Sequence, residues 1–319
     1  MARTTDMSLK KDILAELKEN GGFVSGEALA RQFSKSRAAV WKAVKALRKD
    51  GYVIEAVTNR GYRFSSENDI LSADIIKSRL SCGVNVYYYD SIDSTNTQAK
   101  RLISEGDCAD MLLVADEQTN GRGRQGKSFY SPAQTGIYMT LVIHPDIKLQ
   151  NAVTATTAAS VAVCRAIEGL TDLKPKIKWV NDVYLNGRKI CGILTEAVSD
   201  FETGTVSSVI IGIGMNISTV NFPSDVENAG SLGVNVRRAD LIAEIANELM
   251  KITLGDYKSF IDYYRRRSLI LGKKITYIEN SKAVSATALE IDEAGGLTVQ
   301  KENGEILTLR SGEISIRKA

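Results

Sequence analysis

The sequence has little histidine, proline or cysteine: one, four and four residues of 319. A single histidine, His144, excludes mechanisms that need several, including histidine-rich metal hydrolysis. The four cysteines are too scattered for a zinc site or a disulfide framework, so we expect reduced thiols at Cys82, Cys108, Cys164 and Cys191. No apolar run reaches membrane-spanning length and the polar N-terminus lacks a signal-peptide core. These absences predict a cytoplasmic protein that makes no membrane contact.

Charge is distributed unevenly along the chain. Residues 1–66 contain 13 Lys and Arg against 7 Asp and Glu, an excess of six, whereas the whole chain carries only +3. Because residues 1–66 are basic and the rest of the chain is slightly acidic, we predict a nucleic-acid partner for residues 1–66 alone. Since the length also exceeds one ordinary domain, changes in pattern along the chain predict three domains, at 1–66, 67–270 and 271–319.

The first domain has the order of elements of a winged helix-turn-helix. Apolar spacing predicts helices over 8–20, 26–33 and 37–49, and a hairpin with a basic tip follows. Side chains at the start of the third helix and in the wing would contact DNA, namely Ser36, Arg37, Trp41, Lys42 and Arg60. Two alternatives stay open: a module that contacts only proteins, and a packing role for Trp41.

A glycine-rich basic loop is the most informative stretch of the central domain. Residues 118–129 include three glycines, three cations and one aromatic side chain without apolar periodicity. Glycines let the backbone approach a ligand, and Arg and Lys donate charge-assisted hydrogen bonds, so the loop is predicted to bind phosphate or carboxylate. Its glycines also match G-x-G-x-x-G, but Pro132 follows before a helix can form, which disfavours a dinucleotide site. A flexible basic loop without a ligand is the other alternative.

The rest of the chain predicts a mixed sheet and a small barrel. Four hydrogen-bonding side chains at 93–96 begin a helix; one would cap it, and the others could face a polar ligand. Asn186 and Gly187 predict a hairpin turn. One long amphipathic helix is expected over about 239–266, and short strands from 271 onward predict a small β-barrel. Helices and strands do not alternate strictly, so the class is multidomain α+β.

Five motifs resemble, in order, those of the biotin protein ligases: GRGRQG at 121–126, KWVND at 178–182, GRKICG at 187–192, GIGMN at 212–216 and GEISIR at 312–317. With the winged helix in front, the chain resembles the bifunctional type, a ligase that is also the repressor of the biotin operon. The resemblance implies a central mixed α/β-sheet ligase domain, class II synthetase-like, followed by a small SH3-like β-barrel.

The resemblance also implies a two-step reaction. The biotin carboxylate attacks the α-phosphate of ATP to give biotinyl-5′-AMP, and a lysine of the biotin carboxyl carrier protein then attacks this intermediate. Mg²⁺ is the implied metal, and the adenylate is the implied corepressor, which promotes a homodimer on operator DNA. Adenylation requires alignment and charge neutralisation rather than an enzyme nucleophile, in agreement with the lack of a Ser/His/Asp set. A non-catalytic biotin-sensing repressor and a lipoyl ligase on a related fold are the alternatives.

Site residues follow from the same resemblance. Biotin contacts fall on Ser94, Thr95, Asn96, Gln118, Arg122, Gly123, Arg124 and Lys189. ATP contacts fall on Arg122, Lys127, Phe129, Lys178, Asn181, Asp182, Asn216 and Arg317. Arg124 and Lys189 would be catalytic, and Asp182 would contact Mg²⁺. Three departures from the family pattern, Lys127 for Arg, Phe129 for Trp and Val180 for Pro, predict retained activity with weaker ATP binding.

Overall fold

The chain divides into two compact units, Met1–Ile70 and Leu71–Ala319. The computed structural model describes residues 2–49, 52–65, 69–144, 152–199, 206–224, 226, 228–254, 257–279, 282–312 and 314–316. The first unit consists of α1 (Ala2–Asn20), α2 (Gly26–Gln32), α3 (Arg37–Lys49), β1 (Ile54–Val57) and β2 (Gly61–Phe64). Its own core of buried side chains includes Ile13, Leu17, Leu29, Val40 and Leu47. The predicted winged helix-turn-helix is confirmed.

The wing is attached to the body of this unit at Gly61. β1 and β2 pair antiparallel, and Tyr62 also bridges Val24. Gly61 has φ +98°, and a Cβ there would lie 2.1 Å from the Val24 carbonyl oxygen, so only glycine fits. Trp41 on α3 is 54% exposed, and the Lys45 ammonium lies 5.1 Å from the centre of its ring, so both the DNA contact and the packing role stay predictions.

A seven-stranded mixed sheet organises the second unit, with strand order β3-β4-β5-β9-β8-β7-β6. Its strands are β3 (Asn85–Tyr89), β4 (Met111–Ala115), β5 (Gly136–Ile143), β6 (Lys176–Lys178), β7 (Asp182–Leu185), β8 (Arg188–Ser199) and β9 (Val206–Asn216). Among the pairings of these seven described strands, β3–β4 is parallel and the others are antiparallel. Asn186 and Gly187 turn between β7 and β8 with φ of 50° and 77°, as predicted for a tight hairpin.

Helices of the second unit cover this sheet. They are α4 (Ala73–Lys77), α5 (Thr95–Ser104), α6 (Ala152–Leu170), α7 (Arg238–Leu254) and α8 (Tyr257–Arg267). The single helix predicted over 239–266 is wrong, because the structure has two helices there. Gly255 lies between them in the sequence, and glycine is unfavourable inside a helix. His144 follows β5, and both its backbone amide and its ring nitrogen contact Asp110 Oδ1, at 2.9 and 3.1 Å.

The C-terminal strands form a separate antiparallel sheet with the order β13-β12-β11-β10-β14. The strands are β10 (Lys274–Glu279), β11 (Lys282–Ile291), β12 (Leu297–Lys301), β13 (Ile306–Leu309) and β14 (Ile314–Ile316). Ile275 and Val299 of this sheet belong to the same buried cluster as the central strands. The two sheets therefore share one core, and closure of the smaller one into an SH3-like barrel stays a prediction. None of the described helices is long and apolar enough to cross a membrane.

The cysteines differ sharply in environment. Cys108 is exposed, whereas Cys164 and Cys191 are buried. Burial raises the pKa of the Cys164 and Cys191 thiols, and the thiolate is the reactive form. We expect a maleimide at neutral pH to label Cys108 first and to reach the buried pair only after unfolding. Peptide mass spectrometry over time measures this order, and early labelling of Cys164 or Cys191 would contradict it.

Candidate active site

A cavity of about 420 Å³ opens beside the glycine-rich loop in the second unit. The loop, the start of α5, strands β6 to β9 and the turn before β14 form its walls. Predicted site residues that line the cavity are Ser94, Thr95, Asn96, Gln118, Arg122, Gly123, Arg124, Lys127, Phe129, Lys178, Asn181, Asp182 and Lys189. Residues from four separate stretches of the sequence, 94–96, 118–129, 178–182 and 189, are thus brought to one place.

The start of α5 forms the polar end of the cavity. Ser94 is the N-cap, and its hydroxyl oxygen accepts a hydrogen bond from the Thr97 amide, as the capping prediction required. The Ser94 hydrogen can then be donated to a ligand. Gln118 Oε1 accepts a hydrogen bond from the Thr95 backbone amide at 2.9 Å, and Gln118 Nε2 donates one to Ser131 Oγ at 3.0 Å. These two bonds fix the orientation of the Gln118 carboxamide. This end of the cavity offers a donor next to acceptors, which suits a neutral polar head group.

The glycine loop folds back on itself as a narrow hairpin. Gly123 donates to the Lys127 carbonyl at 2.7 Å, and Phe129 donates to the Gly121 carbonyl at 2.9 Å. A single 3-10 turn at Arg124–Gly126 forms its tip, and Gln125 there has φ 55°. A short turn instead of a helix agrees with the sequence argument against a dinucleotide fingerprint.

Arg124 connects this loop to the opposite wall. Its guanidinium donates to Asn181 Oδ1 at 3.2 Å and to the Gly312 carbonyl at 3.3 Å. Gly312 lies just before β14, so one arginine joins the loop, the KWVND segment and the C-terminal strands. Those contacts place the guanidinium at the cavity wall, where a ligand phosphate or carboxylate could compete for it.

Two glycines of β9 make room for two site residues. A Cβ at Gly212 would lie 2.2 Å from Asn96 Oδ1, and a Cβ at Gly214 would lie 2.6 Å from the Phe129 ring. Because both positions are on one face of the strand, they form adjacent depressions in the cavity floor. Glycine at these two positions is required for the close approach of Asn96 and Phe129.

Positive charge dominates the remaining wall. The lining residues include five cations and one carboxylate: Arg122, Arg124, Lys127, Lys178, Lys189 and Asp182. Lys189 Nζ lies 2.6 Å from Asp182 Oδ1. Lys178 Nζ lies 5.9 Å from the centre of the Tyr184 ring, and burial followed by the charge of Asp182 raises the pKa of Tyr184 to about 12. A neutral phenol therefore faces the ammonium, and the wall suits an anionic ligand such as a nucleotide triphosphate.

The side chains of the cavity suit a Mg²⁺ ion that is bound partly by ligand phosphates better than a metal site formed by protein side chains alone. No group of three or more His, Cys, Asp or Glu side chains suited to a metal occurs among the described residues. Mg²⁺ commonly takes one or two carboxylates and completes its shell with phosphate oxygens and water. Asp182 supplies one such carboxylate, only 17% exposed, beside the cationic wall.

Two predicted ATP residues are not in the lining set. Asn216 is buried and donates to the Gly230 carbonyl at 3.0 Å, outside the described lining. Arg317 lies outside the described residues. The lining also includes Trp179 and Asn228, which the sequence did not predict as site residues. Trp179 lies within the KWVND motif, whereas no sequence signal pointed to Asn228, which lies between β9 and α7.

The predicted DNA contacts lie in the first unit. Ser36 caps α3 by accepting from the Ala39 amide at 3.2 Å, which already gives it a structural role. Arg37 and Lys42 are exposed on the first turns of α3. In the wing, the Arg60 guanidinium carbon lies 4.4 Å from the centre of the Phe23 ring, which restrains this exposed cation.

A polar pocket and a cationic wall in one cavity suit a ligand that has both a neutral polar group and an anionic group, and in the sequence this unit follows a helix-turn-helix module. Three family models match the chain in order. They are an HTH domain over 10–63, the biotin/lipoate A/B protein ligase family over 88–216 and the biotin protein ligase C-terminal domain over 270–317.

Individual relatives agree with these models. The bifunctional ligase/repressor BirA of Bacillus spizizenii is 39% identical over 249 residues, 75% of this chain and 76% of its own. The BirA of Escherichia coli is 29% identical over 315 residues, 96% of this chain and 97% of its own. A structure of the Aquifex aeolicus biotin protein ligase with biotin and ATP has a TM-score of 0.62 at 27% identity, covering 74% of this chain and 99% of that one. The chain belongs to the biotin protein ligase family, in its bifunctional ligase/repressor branch.

Proposed function

We propose that this protein forms biotinyl-5′-AMP from biotin and ATP, with release of pyrophosphate, and then transfers biotin to a lysine of a biotin carboxyl carrier protein. The observation that carries the proposal is the continuity of the cavity, which places the neutral helix-start pocket beside the cationic wall. One cavity can therefore hold both halves of a mixed anhydride. Placing the two reactants side by side replaces a bimolecular encounter by an oriented one.

In this proposal each wall has a separate task. Ser94, Thr95 and Gln118 bind the ureido head, and Arg122, Gly123 and Arg124 bind the carboxylate end. Lys189 neutralises charge on the reacting carboxylate and the α-phosphate. Phe129, Lys178 and Asn181 contact the nucleotide, and Asp182 holds Mg²⁺, which supplies neutralisation of phosphate charge when bound. Lys127 and Arg317 complete the proposed nucleotide contacts, and Asn216, which lies outside the cavity lining, is left out of them.

A direct test incubates the protein with biotin, MgATP and a carrier domain. Mass spectrometry of the carrier should show one added biotinyl group at one lysine. Pyrophosphate release without modification of any acceptor would leave adenylation but remove the transfer step, and no pyrophosphate would favour a non-catalytic sensor. Replacing biotin with lipoate distinguishes a lipoyl ligase, because lipoate lacks the N–H donors of the ureido ring.

The first unit gives the protein its second role, repression of biotin synthesis genes. We propose that the adenylate acts as corepressor, that it promotes a homodimer, and that the dimer binds operator DNA through α3 and the wing. A basic charge excess in residues 1–66 supports a DNA partner, since phosphate contacts supply much of the affinity for DNA.

Neutralising Arg37 or Arg60 is expected to weaken DNA binding without affecting ligation. Each side chain is exposed, and each lost phosphate contact should reduce the slope of log affinity against log salt by about 1. Fluorescence anisotropy with operator DNA and biotinyl-5′-AMP at several salt concentrations measures the slope for Arg37→Ala and Arg60→Ala. Lys282→Ala, which removes an exposed charge from β11, is the control. An unchanged slope in both arginine variants would exclude these contacts.

A further inference from the structure

Two arginines of the wing contact one aromatic ring from the body of the first unit. Phe23 lies in the short segment between α1 and α2, and it is partly buried. The guanidinium carbon of Arg60 lies 4.4 Å from the centre of the Phe23 ring, and that of Arg63 lies 4.7 Å from it. The tip of the wing is thereby connected to the helical part of the unit through a single side chain.

The backbone holds the Phe23 ring beside the wing. The next residue, Val24, donates to the Tyr62 carbonyl, and Tyr62 donates to the Val24 carbonyl, both at 2.8 Å. This antiparallel pair places Phe23 directly across from Arg63, so the two side chains share one face of the small sheet. Arg60 reaches the same ring from the turn that precedes β2. The position of the ring is thus determined by main-chain hydrogen bonds.

The two arginines differ in what else they contact. Arg63 forms an ion pair with Glu55 on β1, with 2.7 Å between Nη2 and Oε2. No carboxylate of the residues that the structure describes pairs with Arg60, whose side chain is exposed. A DNA phosphate would have to compete with Glu55 for Arg63, whereas it meets no such competitor at Arg60.

An aromatic face suits a DNA-binding arginine better than a carboxylate does. A carboxylate accepts the N–H donors of a guanidinium and offsets its charge. A ring face attracts the cation through its quadrupole and leaves the in-plane N–H donors available to a phosphate. Restraining a long side chain before it binds also reduces the conformational entropy that is lost on binding. Phe23 can therefore hold Arg60 in place without reducing what Arg60 offers to DNA.

We infer that Phe23 is a positioning residue for DNA binding, which holds Arg60 of the wing ready for a DNA phosphate and leaves its charge available. Phe23 has neither a charge nor a side-chain donor for a phosphate, so it acts through the arginine. The inference rests on the proposed binding of operator DNA by the first unit.

Phe23→Leu tests this inference, because leucine keeps apolar bulk and lacks the ring. Fluorescence anisotropy of the full-length protein with operator DNA and biotinyl-5′-AMP at several salt concentrations gives both the affinity and its salt slope. We expect Phe23→Leu to lower the affinity about three- to fivefold, the effect of one cation–π contact at an exposed site. The slope should not change, because Arg60 is still charged. Phe23→Tyr keeps the ring face and should bind within about twofold of the unaltered protein.

Combining Phe23→Leu with changes of each arginine separates positioning from general packing. In the Arg60→Ala background, Phe23→Leu should lower the affinity by no more than about 1.5-fold, since the side chain that the ring holds is absent. Arg63→Ala is the matched background, in which Phe23→Leu should keep its full effect because the contact with Arg60 is intact. A general packing role for Phe23 predicts the same loss in both backgrounds.

NMR of the unaltered full-length protein provides a second route if Phe23→Leu folds poorly. An aromatic ring shields protons above its face, so the Arg60 Nε proton should resonate upfield of its position in the unfolded protein. An unshifted Arg60 signal, unchanged DNA affinity in Phe23→Leu, or an equal loss with and without Arg60 overturns the inference while operator binding persists. Absence of salt-dependent operator binding by the unaltered protein is a different result, and it removes the proposed DNA role together with the inference built on it.

Discussion

Gly212→Ala is expected to abolish biotin binding at concentrations that saturate the unaltered protein. The new Cβ would lie 2.2 Å from Asn96 Oδ1, so Asn96 must move. Its contacts with Thr140, Leu194 and Glu196 are buried hydrogen bonds, and each one broken costs about 1–3 kcal/mol. Because those bonds hold a proposed biotin contact in place, displacing the Asn96 carboxamide should also reduce the affinity for biotin by on the order of a hundredfold, the effect of about two lost hydrogen bonds to the ligand, measured by calorimetry without ATP.

Two other glycines provide matched controls for this substitution. A Cβ at Gly83 meets no heavy atom within 4 Å, so Gly83→Ala should leave biotin affinity unchanged. Gly214→Ala would press on the Phe129 ring and should raise KM for ATP more than KM for biotin. Comparable biotin affinity in Gly212→Ala and Gly83→Ala would show that Asn96 does not shape the biotin site.

Lys189→Met is expected to reduce the rate of adenylate formation by about 10²–10³-fold, as for other preorganised donors at developing charge. Lys189 lies 2.6 Å from Asp182 Oδ1 on the cationic wall, so its removal takes away a cation and leaves a largely buried carboxylate unpaired. Pyrophosphate release at saturating biotin and MgATP measures the rate. Lys189→Arg retains the charge and should keep more activity than Lys189→Met.

Pairing this change with Asp182→Asn separates activity from stability. The double variant Lys189→Met with Asp182→Asn removes both charges, so its melting temperature should recover relative to Lys189→Met alone. Its rate of pyrophosphate release should stay low, because neither group is available to the phosphates. Adenylation within about threefold of the unaltered protein in Lys189→Met would exclude the proposed role of Lys189.

Local sequence signals determined the elements that depend on neighbours in the chain. Apolar spacing located the helices of the first unit, a cap at Ser94 or Thr95 was recognisable and proved to be Ser94, and Asn186-Gly187 located the hairpin. The same kind of signal failed over 239–266, where an apolar stripe continues across two helices and only Gly255 indicated an interruption. The five motifs identified the family, but the resemblance, rather than spacing or charge, assigned roles to individual lysines.

Only the tertiary structure determined which groups meet across distant segments. Glu196 is one hundred residues from Asn96, and Gly212 is farther still, yet both lie against that one carboxamide. Arg124 reaches Asn181 and Gly312 in the same way. The physical reason is that local propensity depends on neighbouring residues, whereas the sheet register that places β5, β8 and β9 side by side depends on the packing of the whole core. The sequence alone thus determined a biotin ligase with a winged helix, and the folded sheet decided how its polar pocket is ordered.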